Sequence, residues 1–182
     1  KEWHFEEHIT QYLTRNIVPF FTEYQLKDTS CYDKDLCLIP EDVVGFIKDT
    51  QPEKYDALVL QLGTDTDYKI AYYASNAIKT LPNKTLDYFR TKLKISGQHI
   101  ETMYFKPTHN KSPEHQEWYD KNRLTIIRQL KYSKKNENSI DIVLFVNGIP
   151  VVTMELKNAL TGQYLPNAIK QYIKDRDPKE PL

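Results

Sequence analysis

Thiols are scarce. Two cysteines in 182 residues, Cys31 and Cys37, allow one disulfide at most and exclude a four-sulfur metal site. A chain of this length buries roughly 70% of its unfolded surface, so its core needs no covalent staple. The expected state is therefore reduced, in the cytoplasm. Long apolar runs are also lacking: the longest, 140–152, is broken by Asn147 and Gly148. It falls short of the roughly 18 residues a membrane helix requires, so no membrane span is expected. The charged amphipathic opening lacks the apolar stretch of a signal peptide. Net charge is absent too, with 25 basic against 25 acidic residues, which excludes a tail-like basic nucleic-acid binder. With 40% apolar residues and no repeat or low-complexity tract, the chain reads as one globular domain over 1–182. The polar, proline-bearing 175–182 resembles a linker, so membership of a larger protein is expected.

The first half is expected to be mainly helical. Phe5, Ile9, Tyr12 and Leu13 recur on one face of a helix over about 2–14. Pro40 suits the first position of a helix to Asp49, and helical spacing continues over 51–62, 66–79 and 84–94. Gly97 and the polar 106–112 read as loops. From Leu124 the pattern becomes β-branched, predicting strands at 124–127, 140–146 and 149–156, the last two joined at Asn147-Gly148 and covered on both sides. Helical spacing returns over 167–174.

Charge distribution is more informative than its sum. Lys121, Arg123, Arg128, Lys131, Lys134 and Lys135 fall in a stretch without an acidic residue, suited to a phosphate backbone or to a guarded sheet edge. Three charges then interrupt strands that should be apolar: Asp141, Glu155 and Lys157. Buried ions need partners or a metal. A two-residue turn at Asn147-Gly148 would set Asp141 opposite Met154. A three-residue loop over 147–149, or a bulge in one strand, would set Asp141 opposite Glu155 with Lys157 on the same side. Facing carboxylates suit a divalent cation, magnesium, with the Leu156 carbonyl as a further ligand and Lys157 placed to orient water. The alternative is a structural ion pair in a tolerant core.

The run Asn138-Ser-Ile-Asp-Ile-Val-Leu-Phe-Val-Asn-Gly-Ile-Pro-Val-Val-Thr-Met-Glu-Leu-Lys-Asn158 resembles the nuclease core of type I restriction enzyme R subunits. Its Asp141 and Glu155-x-Lys157 look like the PD-(D/E)xK signature, with Ile140 in the place of the proline. The resemblance implies an α/β fold with a restriction-endonuclease-like PD-(D/E)xK core. That is a mixed central sheet flanked by helices, with core strands over about 123–157 and a helical insertion over about 17–105. It implies Mg2+-dependent cleavage of double-stranded DNA, with catalytic Asp141, Glu155, Lys157 and Gln171, in a subunit that works with methylation and specificity subunits. ATP would serve the full-length subunit only, since this chain has no Gly-x4-Gly-Lys-Ser/Thr loop.

Gln171 matches the glutamine of the family's Gln-x3-Tyr motif, but its tyrosine position holds Asp175. A first-helix glutamate near the metal is also implied, Glu6 or its neighbour Glu7. A different class remains open, a non-catalytic docking module that joins the R subunit to its methyltransferase partners. His4-Phe5-Glu6-Glu7-His8 fits the inverted zinc-peptidase pattern without an obvious third ligand, and Cys31–Cys37 lacks the glycine and closing glutamate of a calcium loop.

Overall fold

A computed structural model describes residues 2–15, 23–108, 113–156 and 165–170. The chain opens with α1 (Glu2–Thr14), a two-residue strand β1 (Gln25–Leu26) and a 3-10 turn (Thr29–Cys31). A helical region follows: α2 (Pro40–Thr50), α3 (Pro52–Leu62), α4 (Thr66–Thr80) and α5 (Thr85–Arg90). Pro40 and Pro52 open their helices where a missing N–H costs nothing. A small hairpin, β2 (Leu93–Ile95) and β3 (Gln98–Ile100), and α6 (Pro113–Asp120) lead into β4 (Leu124–Lys131), β5 (Ser139–Val146) and β6 (Ile149–Met154). The last described element is α7 (Leu165–Lys170).

The expected mixed α/β architecture is present. The main sheet has the order β1-β4-β5-β6, with β1 parallel to β4 and the other pairs antiparallel. On one side, Ile126, Ile142 and Leu144 pack with Ile9 and Leu13 of α1. On the other, Ile127, Leu130, Val143 and Phe145 pack with Tyr32 and Ile39. A third cluster fills the space between α2, α4, α5 and the β2-β3 hairpin, and Ile149 joins it to the sheet.

Three expectations need correction. The helix expected to Lys94 stops at Arg90, because Ser96 and Gly97, both at positive φ, turn Leu93 and Ile95 back against Ile100. Helix α6 was unforeseen because its eight residues bury none of their side chains and so carry no apolar stripe. Coverage on both sides holds for β5, whereas β6 is the sheet edge among the described residues, with Val151 and Val152 exposed.

The β5-β6 hairpin turns through Asn147 and Gly148, both at positive φ, so the loop has two residues. Phe145 pairs with Pro150, but Leu144 pairs with Val152, leaving Val151 as the extra residue of a bulge. Beyond it the pairing runs through Val143 with Thr153 and Ile142 with Met154. The ladder ends at Ile142 with Met154, and the same register carried one position further would set Asp141 opposite Glu155. Of the two routes the sequence left open, the chain takes the bulge.

Candidate functional site

Two consecutive polar residues interrupt β4: Arg128, which pairs with Ile142, and Gln129, which falls in the gap before Leu130 pairs with Ile140, where Asp141 lies on β5. Gln129 has a φ of 49°, a left-handed conformation that costs a residue with a side chain roughly 1–2 kcal/mol. Packing shows the consequence. Ile127 and Leu130 lie in the same cluster, which strict alternation forbids, so the strand changes face between them. Arg128 and Gln129 both reach α1, through Glu6 and Glu7. On β5, Ile140 and Val143 likewise share that cluster, leaving Asp141 at the matching break.

These breaks assemble a polar site between the end of the sheet and the first helix. Glu6 lies on the face of α1 that carries Ile9 and is only 5% exposed. The Gln129 Nε2 donates to Glu6 Oε1 at 2.8 Å and to Asp141 Oδ1 at 3.1 Å, so two carboxylates share one amide. Ser139 Oγ donates to Gln129 Oε1 at 3.1 Å, fixing which end of the amide faces the acids. The second oxygen of Asp141 accepts the backbone N–H of Leu156 at 2.6 Å, which ties it to the chain beyond β6. Arg128 forks across α1, with Nη1 at 2.8 Å from Glu7 and Nη2 at 3.4 Å from Glu6. The Gln11 amide and the Arg128 guanidinium hold the Glu7 carboxyl below its usual range.

The expected site residues are placed as follows. Glu155 directly follows Met154, the last β6 residue paired with β5, and the Leu156 N–H donates to Asp141. Glu6 joins Asp141 through Gln129, whereas Glu7 turns to Arg128 and Gln11. Lys157 and Gln171 lie outside the described residues. The six basic residues all have partners. Arg123 reaches Asp49 at 2.7 Å, Lys121 pairs with Glu117, Lys131 with Glu137, and Lys134 with Asp35. Arg128 is committed to α1, and the backbone N–H of Lys135 donates to Ser133 Oγ. Cys31 and Cys37 are not joined in a disulfide, and the Cys37 thiol donates to the Lys34 carbonyl at 3.4 Å.

The donors suit magnesium in kind, since carboxylate oxygens are its preferred protein ligands. The buried Glu6 and the half-buried Asp141 place two such oxygens on a single N–H2 group, a position that a cation could take. Among the described residues, no three His, Cys, Asp or Glu side chains lie together so as to hold a metal ion between them.

Gln129 was not anticipated from sequence. Its one signal was the pair of adjacent polar residues inside an otherwise buried strand, a pattern that marks a break in alternation. Asp42, 1% exposed near the start of α2, was also missed. It accepts from Thr125 Oγ1 at 2.6 Å and Lys27 Nζ at 2.8 Å, joining the helical region to the sheet. Burial opposes the Lys27 charge, but Asp42 and Glu41 outweigh it and hold the ammonium above its ordinary value.

A mixed sheet with a polar break facing its first helix defines an α/β domain of nuclease-compatible architecture. The family described as Type I restriction enzyme R protein N terminus matches residues 46–181, and the chain belongs to it. Neither a curated protein nor a solved structure matches the chain. The family match begins after α1, so Glu6 stands on geometry alone. Among the described residues, no helix is long and apolar enough to cross a membrane.

Proposed function

We propose that the chain is the endonuclease domain of a type I restriction enzyme and hydrolyses phosphodiester bonds in unmodified foreign DNA, producing double-strand breaks. The reading includes a PD-(D/E)xK site and magnesium as cofactor. The observation that supports it best is the bulge at Val151, whose register, continued past Ile142 and Met154, would bring Asp141 and Glu155 together at the end of the sheet where Gln129 links Asp141 to Glu6.

Asp141, Glu155, the Leu156 carbonyl and Glu6 would hold the cation. Magnesium, when bound, acidifies a coordinated water and offsets charge on the phosphate. Lys157 would orient the attacking water by donating from its ammonium, and Gln171 would position the site against DNA. Lys121, Lys131, Lys134 and Lys135 would contact phosphates, since ion pairs between exposed groups exchange cheaply. Arg123 would join them, its pair with Asp49 being likewise exposed, whereas Arg128 is committed to Glu6 and Glu7 of the first helix. An ATP-driven motor in the rest of the subunit, with methylation and specificity subunits as partners, belongs to the same reading.

The test is plasmid cleavage by the assembled enzyme with ATP and Mg2+, comparing wild type with Asp141→Ala and Glu155→Ala. The expected outcome is loss of cleavage with ATP hydrolysis retained. If both variants still cut, the endonuclease reading falls. Loss of assembly on disrupting the surface would then favour the docking module.

A further inference from the structure

We propose that Gln129 is a positioning residue whose side-chain amide occupies the cation's place between Glu6 and Asp141 and is displaced when the cation binds. This rests on the metal reading above and assigns a role to a residue outside the expected ligand set.

Three observations converge on it. One nitrogen serves both carboxylates, at 2.8 and 3.1 Å, and Ser139 holds the opposite end of the amide. Gln129 sits in a left-handed conformation that glycine would adopt without strain, and that conformation turns its side chain toward α1. Glu6 is almost fully buried, and its other described partner, Arg128, is 3.4 Å away and also engages Glu7. Without the amide, two carboxylates would face each other with little compensation, which is unfavourable at short range. The amide therefore stabilises the metal-free site and competes with the metal. Its loss should tighten cation binding, and a fixed positive charge in its place should prevent it.

The experiment is calorimetric titration of Mn2+ into the chain as wild type, Gln129→Gly, Gln129→Lys and Asp141→Asn, with free Mn2+ counted by electron paramagnetic resonance. Thermal unfolding without metal is measured alongside. Gln129→Gly keeps the backbone conformation and removes the competitor. It should bind Mn2+ about tenfold more tightly, the scale of one hydrogen bond to a charged group. Gln129→Lys should lose Mn2+ binding and melt at a higher temperature than wild type when metal-free. A merely structural amide would not move affinity in opposite directions. Unchanged or weaker binding by Gln129→Gly, or retained binding by Gln129→Lys, overturns the proposal. If Asp141→Asn still loses Mn2+ in that case, the metal reading survives. A wild-type chain that takes up no Mn2+ overturns both.

Discussion

Gly148 lies directly against the first turn of α2, where its carbonyl accepts the Ile39 N–H at 2.8 Å. A Cβ at this position would stand 2.4 Å from the Ile39 carbonyl oxygen and 2.9 Å from the Val43 nitrogen. The backbone is also left-handed, at a φ of 80°. Neither neighbour can rotate away, since both are backbone atoms. Gly148→Ala should therefore cost about 3 kcal/mol or more, read by urea unfolding. Gly45→Ala is the contrasting case. The three atoms nearest its Cβ would all belong to the Arg123 guanidinium, which can move, and alanine favours a helix interior by about 1 kcal/mol over glycine. That variant should unfold near the wild-type midpoint.

The register of the site strands gives a length test. Val151 is the residue without a partner in the bulge, so deleting it should close the ladder without changing the register that leads from Ile142 and Met154 to Asp141 and Glu155. Deleting Val151 and Val152 together should slide Glu155 opposite Ile142. Mn2+ binding should survive the single deletion and disappear in the double one. Loss in both, with native circular dichroism retained, would mean that the bulge itself shapes the site.

Where sequence pattern was local and repetitive, it carried the fold. The apolar spacing around Ile9 and Leu13 delimits α1, and Asn147-Gly148 marks the hairpin turn. The conflict between that turn and the charges at Asp141 and Glu155 predicted a longer loop or a bulge, and the bulge is what the chain adopts. What escaped the sequence depends on distant partners. Strand β1 is two residues long and exists because Gln25 and Leu26 meet Thr125 and Ile126. Leu93 and Ile95 fit the end of a helical stripe as well as they fit a hairpin, and only the turn at Ser96-Gly97 decides between them. Gln129 is an ordinary strand residue until its φ and its opposition to Asp141 are seen. Lys157 and Gln171 lie outside the described residues.

The Lys27–Asp42 pair should impose an alkaline limit on stability. Asp42 has a side-chain exposure of 2% and Lys27 of 20%, so breaking the pair leaves a buried carboxylate with only the Thr125 hydroxyl and, at 3.7 Å, Arg123 as its described partners. Lys27→Met should cost about 3 kcal/mol at neutral pH, the range for losing one partner of a buried pair. The Lys27 ammonium is held above its ordinary value of 10.5. A raised folded-state value stabilises fully below the unfolded value, and the benefit is lost as pH rises through the folded one. The difference between wild type and Lys27→Met should thus be constant from neutral pH to about 10 and narrow above it. A difference that narrows on acidification instead would rule out the ammonium as its source.

Arg128 decides whether α1, and with it Glu6, stays at the site. Its guanidinium spans Glu6 and Glu7, and α1 also meets the sheet through Ile9, Leu13 and the Gln129–Glu6 hydrogen bond. Replacing Arg128 with methionine keeps much of the apolar stem but leaves the buried Glu6 with the Gln129 amide as its remaining described partner. The expected cost is about 2–3 kcal/mol, carried mainly by Glu6, because Glu7 is more exposed and a surface pair contributes little. Neutralising the stranded acid should recover part of that loss, so Glu6→Gln combined with Arg128→Met should be more stable than Arg128→Met alone. Hydrogen exchange separates this local effect from global destabilisation. Amides of α1 should exchange faster in Arg128→Met while those of β5 keep their protection. Equal acceleration in both elements would mean that Arg128 supports the sheet as a whole rather than the docking of the first helix.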